Sequence, residues 1–362
     1  MPKDEKKKAP KLPPMKEIIK ETYRDIVSGI KELKNDLPNM REKLKNPVKT
    51  QYELGLHHAE KGNLTDAKFR FWITTIMDKN NADAWYRLGW AYYCKGKINK
   101  AKTALHKALE LNPKLKEAQF WLDNINEKTD IKEIPLEIIK EDANRWADIY
   151  EKLFLIDLQY IGHDAVSKNI LDDAEGKSIL DLGCGTGLCG ELLRHKAKRI
   201  VGVDISPKML KHARSLSLIP KEAAENESEN ESETKDDENK KSPPIKAYDE
   251  VVESDIISYL KTADEKFDTI IAAYTFNFFR ELSELITLCK KTLNPNGKLA
   301  FSVELTDNGN YEFDPAVGMF IHSDKYIRKT LDENGFKVIK DESVKLYSDC
   351  VNGMVYTCQL EN

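Results

Sequence analysis

The chain has 362 residues, 33% of them charged and 40% hydrophobic, with 61 acids against 57 bases. That length allows about two or three domains, each with a core of its own, and a net charge of −4 with an isoelectric point near 6.1 gives no electrostatic drive toward nucleic acid. The N-terminus MPKDEKKKAPKLPP holds no apolar leader, and nowhere do about 18 apolar residues run together, so the expectation is a cytoplasmic chain without a membrane partner.

Residues 1–14 are rich in Lys and Pro and have no periodic apolar set, which predicts a disordered basic tail. From Met15 to Leu37 the residues Ile18, Ile19, Tyr23, Ile26, Ile30 and Leu33 recur at helical spacing until Pro38. A repeat follows. Trp85, Leu88, Gly89, Tyr92, Gly96, Ala101, Leu105, Ala108 and Pro113 match the pattern of a tetratricopeptide (TPR) repeat. One period of about 34 residues earlier, Leu54, Gly55, His58, Gly62, Ala67 and Phe71 fill the same slots. Glu117 to Glu127 reads as a capping helix. Residues 15–130 are therefore expected to form an all-α TPR module, whose groove is a candidate site for a protein or peptide partner.

Residues 131–362 have a different rhythm. After helical segments at Asn144 to Leu158 and Gly162 to Leu171, short apolar runs alternate with amphipathic helices, which predicts a doubly wound parallel sheet. Strands are expected at Ser178 to Leu182, Arg199 to Asp204, Glu250 to Glu253, Phe267 to Ala273 and Lys298 to Val303. A final antiparallel hairpin is expected around Phe336 to Leu346 and Met354 to Leu360. The acidic stretch within residues 218–246 has almost no apolar side chains and is expected to be a disordered insertion at the amino edge of the sheet, away from the carboxyl edge where ligands bind.

The segment SILDLGCGTGLCGELL carries a strand into a helix through Gly183, Gly185 and Gly187. Glycines there permit unusual dihedrals and let a ligand reach the backbone. Asp204, ending the next strand, is placed to accept hydrogen bonds from ribose hydroxyls. Gly185, Gly187 and Gly190 also satisfy the G-x-G-x-x-G of dinucleotide binders. Asp181 argues otherwise, because a carboxylate beside the glycines repels a pyrophosphate but suits the ammonium of a methionine moiety. Asp255 and Ile256 follow the third strand, where they can bond and cover an adenine, or where Asp255 can simply cap a helix. The six cysteines (Cys94, Cys184, Cys189, Cys289, Cys350, Cys358) show no CxxC pair or Cys/His ligand set, so free thiols and no metal site are expected.

DLGCGTG, the Asp204 strand end, Ser254 to Ile256, FDTIIAA and LNPNGKLAFSVE together resemble the motifs of class I S-adenosylmethionine (SAM)-dependent methyltransferases. With the repeats, GLCGELL, VGVDISPKML and HSDKY at His322 to Tyr326, the chain is similar to a group of TPR-containing methyltransferases. That resemblance implies a Rossmann-like sheet, SAM as cofactor, and cofactor contacts from Asp181, Gly183, Cys184, Gly185, Gly187, Asp204, Ile205, Asp255, Ile256 and Ala273. The family often has an acid where this chain has Tyr274. If the acceptor must lose a proton, Tyr274, Asn277 and His322 are the candidates, with Tyr150 and Tyr160 as covers for the cofactor. The alternative function is a non-catalytic TPR adaptor whose Rossmann domain binds SAM.

Overall fold

The computed structural model describes residues 46–128, 130–218, 244–315, 318–347 and 351–361. The expected basic tail, the helix Met15 to Leu37 and the body of the acidic insertion lie outside these residues.

Five helices open the described chain: α1 (Pro47–Glu60), α2 (Leu64–Met77), α3 (Ala82–Cys94), α4 (Ile98–Leu111) and α5 (Lys116–Ile125). The first three begin alike, with the side chains of Asn46, Asn63 and Asn81 each accepting a hydrogen bond from a backbone N–H of the first turn. The repeat slots have a steric basis. A Cβ built on Gly55 would lie 2.5 Å from the Phe71 ring, and one on Gly89 would lie 2.8 Å from Leu105, so glycine lets the two helices of each repeat close up. A common core of Ala67, Phe71, Leu88, Ala91, Leu105 and Ala108 joins the two repeats.

Next comes α6 (Leu136–Trp146), which lies against the face of α3 that bears Arg87 and Trp90. The Arg87 guanidinium forks onto both oxygens of Glu141, and Arg145 sits over the Trp90 ring, 4.9 Å from its centroid. The stretch before α6 is pinned as well. Ile131, Ile134 and Ile138 share a buried cluster with Phe120 of α5 and with Phe313 and Phe320. The helix expected from Asn144 to Leu158 is not continuous: α6 runs into a 3-10 turn (Ala147–Ile149) and a π-helical segment (Glu151–Asp157) before α7 (Gly162–Ile170).

The main sheet is built from β1 (Ser178–Leu182), β2 (Arg199–Asp204), β5 (Glu250–Glu253), β6 (Phe267–Ala273), β7 (Leu293–Glu304), β10 (Phe336–Lys345) and β11 (Asn352–Leu360). Two short ladders, β3 (Ser217–Leu218) with β4 (Ile245–Lys246), and β8 (Tyr311–Asp314) with β9 (Met319–His322), stand outside it. The intervening helices are α8 (Leu188–Leu193), α9 (Pro207–Ser215), α10 (Ile256–Thr262), α11 (Ser283–Thr292) and α12 (Asp324–Glu333). The strand order is β10-β11-β7-β6-β1-β2-β5, and every strand runs one way except β11, which is antiparallel to both neighbours. This is the expected doubly wound sheet with a C-terminal hairpin, but the second arm of the hairpin is the inner one.

Both faces of the sheet are buried, as a mostly parallel sheet requires. Side chains alternate between them: Leu180, Leu182, Val201, Ile270 and Phe301 enter one core, while Ile179, Ile200, Ile271 and Ala300 enter the other. The expected insertion at 218–246 is trimmed at its roots, because Leu218 pairs with Ile245 and Ser217 with Lys246. Its ends leave at the amino edge of β5, as anticipated.

Candidate functional site

The carboxyl ends of β1, β2, β6 and β7 lie side by side, and the residues with polar or strained settings gather there. After β1 the backbone takes positive φ at Gly183 (73°), Gly185 (54°) and Gly187 (106°), a region that favours glycine. The three serve different ends. A Cβ on Gly183 would meet the Thr275 side chain at 2.3 Å, and one on Gly187 would crowd Tyr248, Leu216 and Ala213, whereas one on Gly185 would meet nothing within 4 Å. Of the loop glycines, Gly185 is thus the one whose missing side chain leaves free space.

Asp204 ends β2 in a buried position and holds this loop. Its Oδ2 accepts from the Gly185 N–H at 3.0 Å and its Oδ1 from the Ser206 N–H at 2.8 Å. Burial pushes its carboxyl above the usual range, with the backbone N–H groups opposing that shift. Ser206 in turn caps α9 and donates to Asn144 Oδ1 of α6 at 2.8 Å, tying the loop to the helix that packs on the repeats. Ile205, between the two, is half-buried.

Asp181, in β1, is fully enclosed. The Tyr248 hydroxyl donates to its Oδ2 at 2.6 Å, and its Oδ1 has no partner. Burial raises the Asp181 carboxyl to about 7, the Tyr248 hydrogen bond opposes this, and the Asp204 charge adds to it. Tyr248 also explains Gly190: its hydroxyl accepts from the Gly190 N–H at 3.0 Å, and a Cβ there would lie 2.4 Å from the ring. The third glycine of the G-x-G-x-x-G match makes room for a tyrosine that holds Asp181. Cys184 is buried, and burial holds its thiol well above the ordinary value, so it stays protonated.

Asp255 caps α10, accepting from the Ser258 N–H at 2.9 Å, so the bland alternative for this residue is realised. Ile256 is buried in the sheet core. Ala273 ends β6, and Tyr274 follows at φ 58°, a strained setting for a large side chain. The Tyr274 N–H donates to Ser302 Oγ at 2.8 Å, and its hydroxyl donates to Glu304 Oε2 at 2.9 Å. Around it lie Tyr160 and Tyr347, with ring centroids 5.9 and 5.3 Å away, and Phe154 stacks on Tyr150 at 4.5 Å. Tyr150 and Tyr160 therefore do join the edge.

The other two proton-handling candidates are engaged elsewhere. Asn277 is fully buried, its Nδ2 donating to Phe320 O at 2.8 Å and its Oδ1 accepting from the Glu304 N–H at 3.4 Å, so its amide clamps two strands. His322 is fully buried, with Nε2 against Phe279 O at 2.9 Å, and burial lowers its pKa to about 4. A neutral imidazole held this way is a packing residue at the end of β9, paired with Tyr311 in the β8–β9 ladder, rather than a base. Tyr248, Glu304 and Tyr347 were not singled out from sequence. Glu304 lies in FSVE, where the family motif could have flagged it. The other two carry no local signal.

Among the described residues, no group of three or more His, Cys, Asp and Glu is arranged to hold a metal, and no helix is long and apolar enough to cross a membrane.

Comparison with known proteins gives this geometry its family. A profile described as a methyltransferase domain matches residues 151–341, more than half of the chain. The chain belongs to that methyltransferase family. A tetratricopeptide-repeat profile matches residues 82–115, which span α3 and α4. The chain is 28% identical over 166 residues to an uncharacterized protein of Haemophilus influenzae, covering 45% of this chain and 57% of that one. It is 28% identical over 128 residues to a ubiquinone biosynthesis O-methyltransferase of Pasteurella multocida, covering 35% of this chain and 46% of that one. It is 31% identical over 134 residues to a malonyl-[acyl-carrier protein] O-methyltransferase of Acetivibrio thermocellus, covering 36% and 37%. The chain thus spans roughly half the length of these curated relatives, or less. Among solved structures, 1,6-didemethyltoxoflavin-N1-methyltransferase of Burkholderia thailandensis aligns over 62% of this chain and 88% of its own at 13% identity, with a TM-score of 0.44.

Proposed function

We propose that this methyltransferase binds SAM at the Gly183–Gly187 loop and transfers the methyl group to a nucleophile held beside Tyr274. The observation that carries the reading is the buried Asp181 Oδ1, which has no partner, next to a loop where Gly185 leaves open space. A buried carboxylate oxygen without a partner costs free energy unless a ligand supplies a donor, and the ammonium of a methionine moiety is such a donor. Asp204 has the capacity for a ribose diol as well, since a carboxylate offers about four lone-pair sites and its two oxygens each hold one backbone N–H.

In this assignment Gly183, Cys184, Gly185, Gly187 and Ile205 line the cofactor with backbone, Asp255 and Ile256 flank the adenine, and Ala273 borders the reacting edge. The cofactor, when bound, supplies a methyl carbon on a sulfonium, which is an intrinsically good leaving group. The chain's residues align the acceptor in line with that carbon and exclude water, which supplies most of the acceleration. Tyr150, Phe154, Tyr160 and Tyr347 form the water-excluding wall. A tetratricopeptide repeat is a protein-interaction module, and here we assign its α3 face first to the chain's own α6, through Arg87 and Trp90. The free thiols at Cys94, Cys184, Cys189, Cys289 and Cys358 agree with a reducing, cytoplasmic setting, which forms part of the proposal.

Incubation of the purified chain with methyl-labelled SAM and cell extract is expected to move label onto an acceptor, and Asp204→Ala is expected to abolish the transfer. Equal labelling by the substituted chain would remove the assignment.

A further inference from the structure

Among the described residues the carboxylates at the carboxyl edge that lack a cationic partner include the buried Asp181 and Asp204, assigned above to the cofactor's ammonium and ribose, and the half-buried Glu304. Glu304 accepts from the Tyr274 hydroxyl at 2.9 Å, and no lysine or arginine pairs with it among the described residues. Its surroundings are aromatic. Tyr160 and Tyr347 lie 5.1 Å apart, both face Tyr274, and Phe154 lies 6.3 Å from Tyr347 while stacking on Tyr150. The Tyr160 hydroxyl is buried with no partner, and the segment bearing Phe154 is π-helical, a form that often marks functional sites.

We propose that Glu304 and the rings of Tyr160, Tyr274 and Tyr347 form the acceptor subsite, and that the acceptor is an amine that arrives as an ammonium ion. The inference rests on the methyltransferase reading above and names its substrate class. Aromatic faces attract cations through their quadrupole, most strongly where water is excluded, and a single carboxylate among them supplies the countercharge. The same edge disfavours an anionic acceptor, because Glu304 has no lysine or arginine among the described residues to offset its charge.

The step assigned to the chain is a proton transfer. One N–H proton of the ammonium passes to the Glu304 carboxylate, leaving a lone pair on nitrogen. That pair forms the new N–C bond while the electron pair of the broken C–S bond stays on sulfur. Nitrogen then carries the positive charge again, and Glu304 releases its proton to solvent. Tyr274, bonded to Glu304, is the positioning residue. The groups that face Glu304 are the Tyr274 hydroxyl from the end of β6, Tyr347 after β10 and Asp314 of β8. Burial and Asp314 raise the Glu304 carboxyl, and the Tyr274 hydrogen bond opposes them.

The test titrates the full chain with phenethylammonium, 2-phenylethanol and 3-phenylpropionate by calorimetry, with tyrosine fluorescence as a second readout. The ammonium is expected to bind saturably and about tenfold more tightly than the alcohol, in line with a cation–π and carboxylate contribution. The carboxylate is expected not to bind. Ammonium affinity should fall as pH is lowered through the Glu304 titration, and Glu304→Gln should bring it down to that of the alcohol. Equal or tighter binding of the alcohol, binding of the carboxylate, or no saturable binding of any probe overturns the proposal. A parallel SAM titration separates the two levels. Without SAM binding the methyltransferase reading itself fails, whereas SAM binding with no preference for the ammonium removes only the amine acceptor.

Discussion

Replacing Asp181 by Asn is expected to make the cofactor-free chain more stable at pH 8 and, at the same time, to weaken SAM binding roughly 10- to 100-fold, the worth of a hydrogen bond to a charged group. The two effects have one origin. Burial raises the Asp181 carboxyl to about 7, whereas in the unfolded chain it titrates near its ordinary value of about 3.9. The folded state therefore keeps a proton that the unfolded state has already lost, so the stability from this group is full below about pH 4 and is lost as pH rises through about 7. An amide does not titrate, and it can still accept from Tyr248. The substitution should remove this slope, with a gain on the order of 4 kcal/mol at pH 8, from about 3 pKa units at about 1.4 kcal/mol each, and little change at pH 4. Because ammonium binding selects the carboxylate, SAM affinity of the unsubstituted chain should rise with pH through about 7. Thermal unfolding and SAM titration at the two pH values check both halves. A substituted chain that is less stable at pH 8 and binds SAM as well as the original would make Asp181 a structural residue only.

Asp204→Ala is expected to cost more in binding, roughly 100-fold or greater, and to lower stability as well. It deletes the acceptor for the Gly185 and Ser206 N–H groups, each of which loses about 1 to 3 kcal/mol if left buried without a partner, although relief of a buried carboxylate offsets part of this. It also deletes the acceptor proposed for the ribose hydroxyls. Asp204→Asn keeps one acceptor and should fall between. Calorimetry with S-adenosylhomocysteine reads the series directly. Equal affinity across it would show that ribose recognition does not pass through this strand end.

The sheet was legible because its strands are short apolar runs ending at fixed landmarks: β1 at Asp181-Leu182, β2 at Asp204 and β6 at Ala273 match their expected bounds. The repeats were legible for a steric reason, since Gly55 and Gly89 must sit opposite Phe71 and Leu105. What escaped the sequence depends on long-range contacts. Tyr248 reaches Asp181 across 67 residues, and Glu304 meets Tyr274 across 30. The β8–β9 ladder was missed because its strands have four residues each, and their buried Phe313 and Phe320 find their partners in α5 and the segment after it rather than in the main sheet. His322 is a base candidate from sequence as a titratable side chain expected at the carboxyl edge; its plainer role beside a helix cap agrees with Ser323, which does cap α12, but nothing local announces that the ring is sealed against the Phe279 carbonyl. The cap made by Asp255 shows the reverse case, a contact that the local sequence announces by itself.

Isothermal titration of the full chain with SAM, S-adenosylhomocysteine and NAD tests the central claim most directly. Saturable binding of SAM and S-adenosylhomocysteine, strengthened as pH rises through about 7 as the Asp181 carboxyl ionises, with no binding of NAD, is the expected result. Binding of NAD alone would mean that Asp181 does not face an ammonium and that the glycine loop serves a dinucleotide.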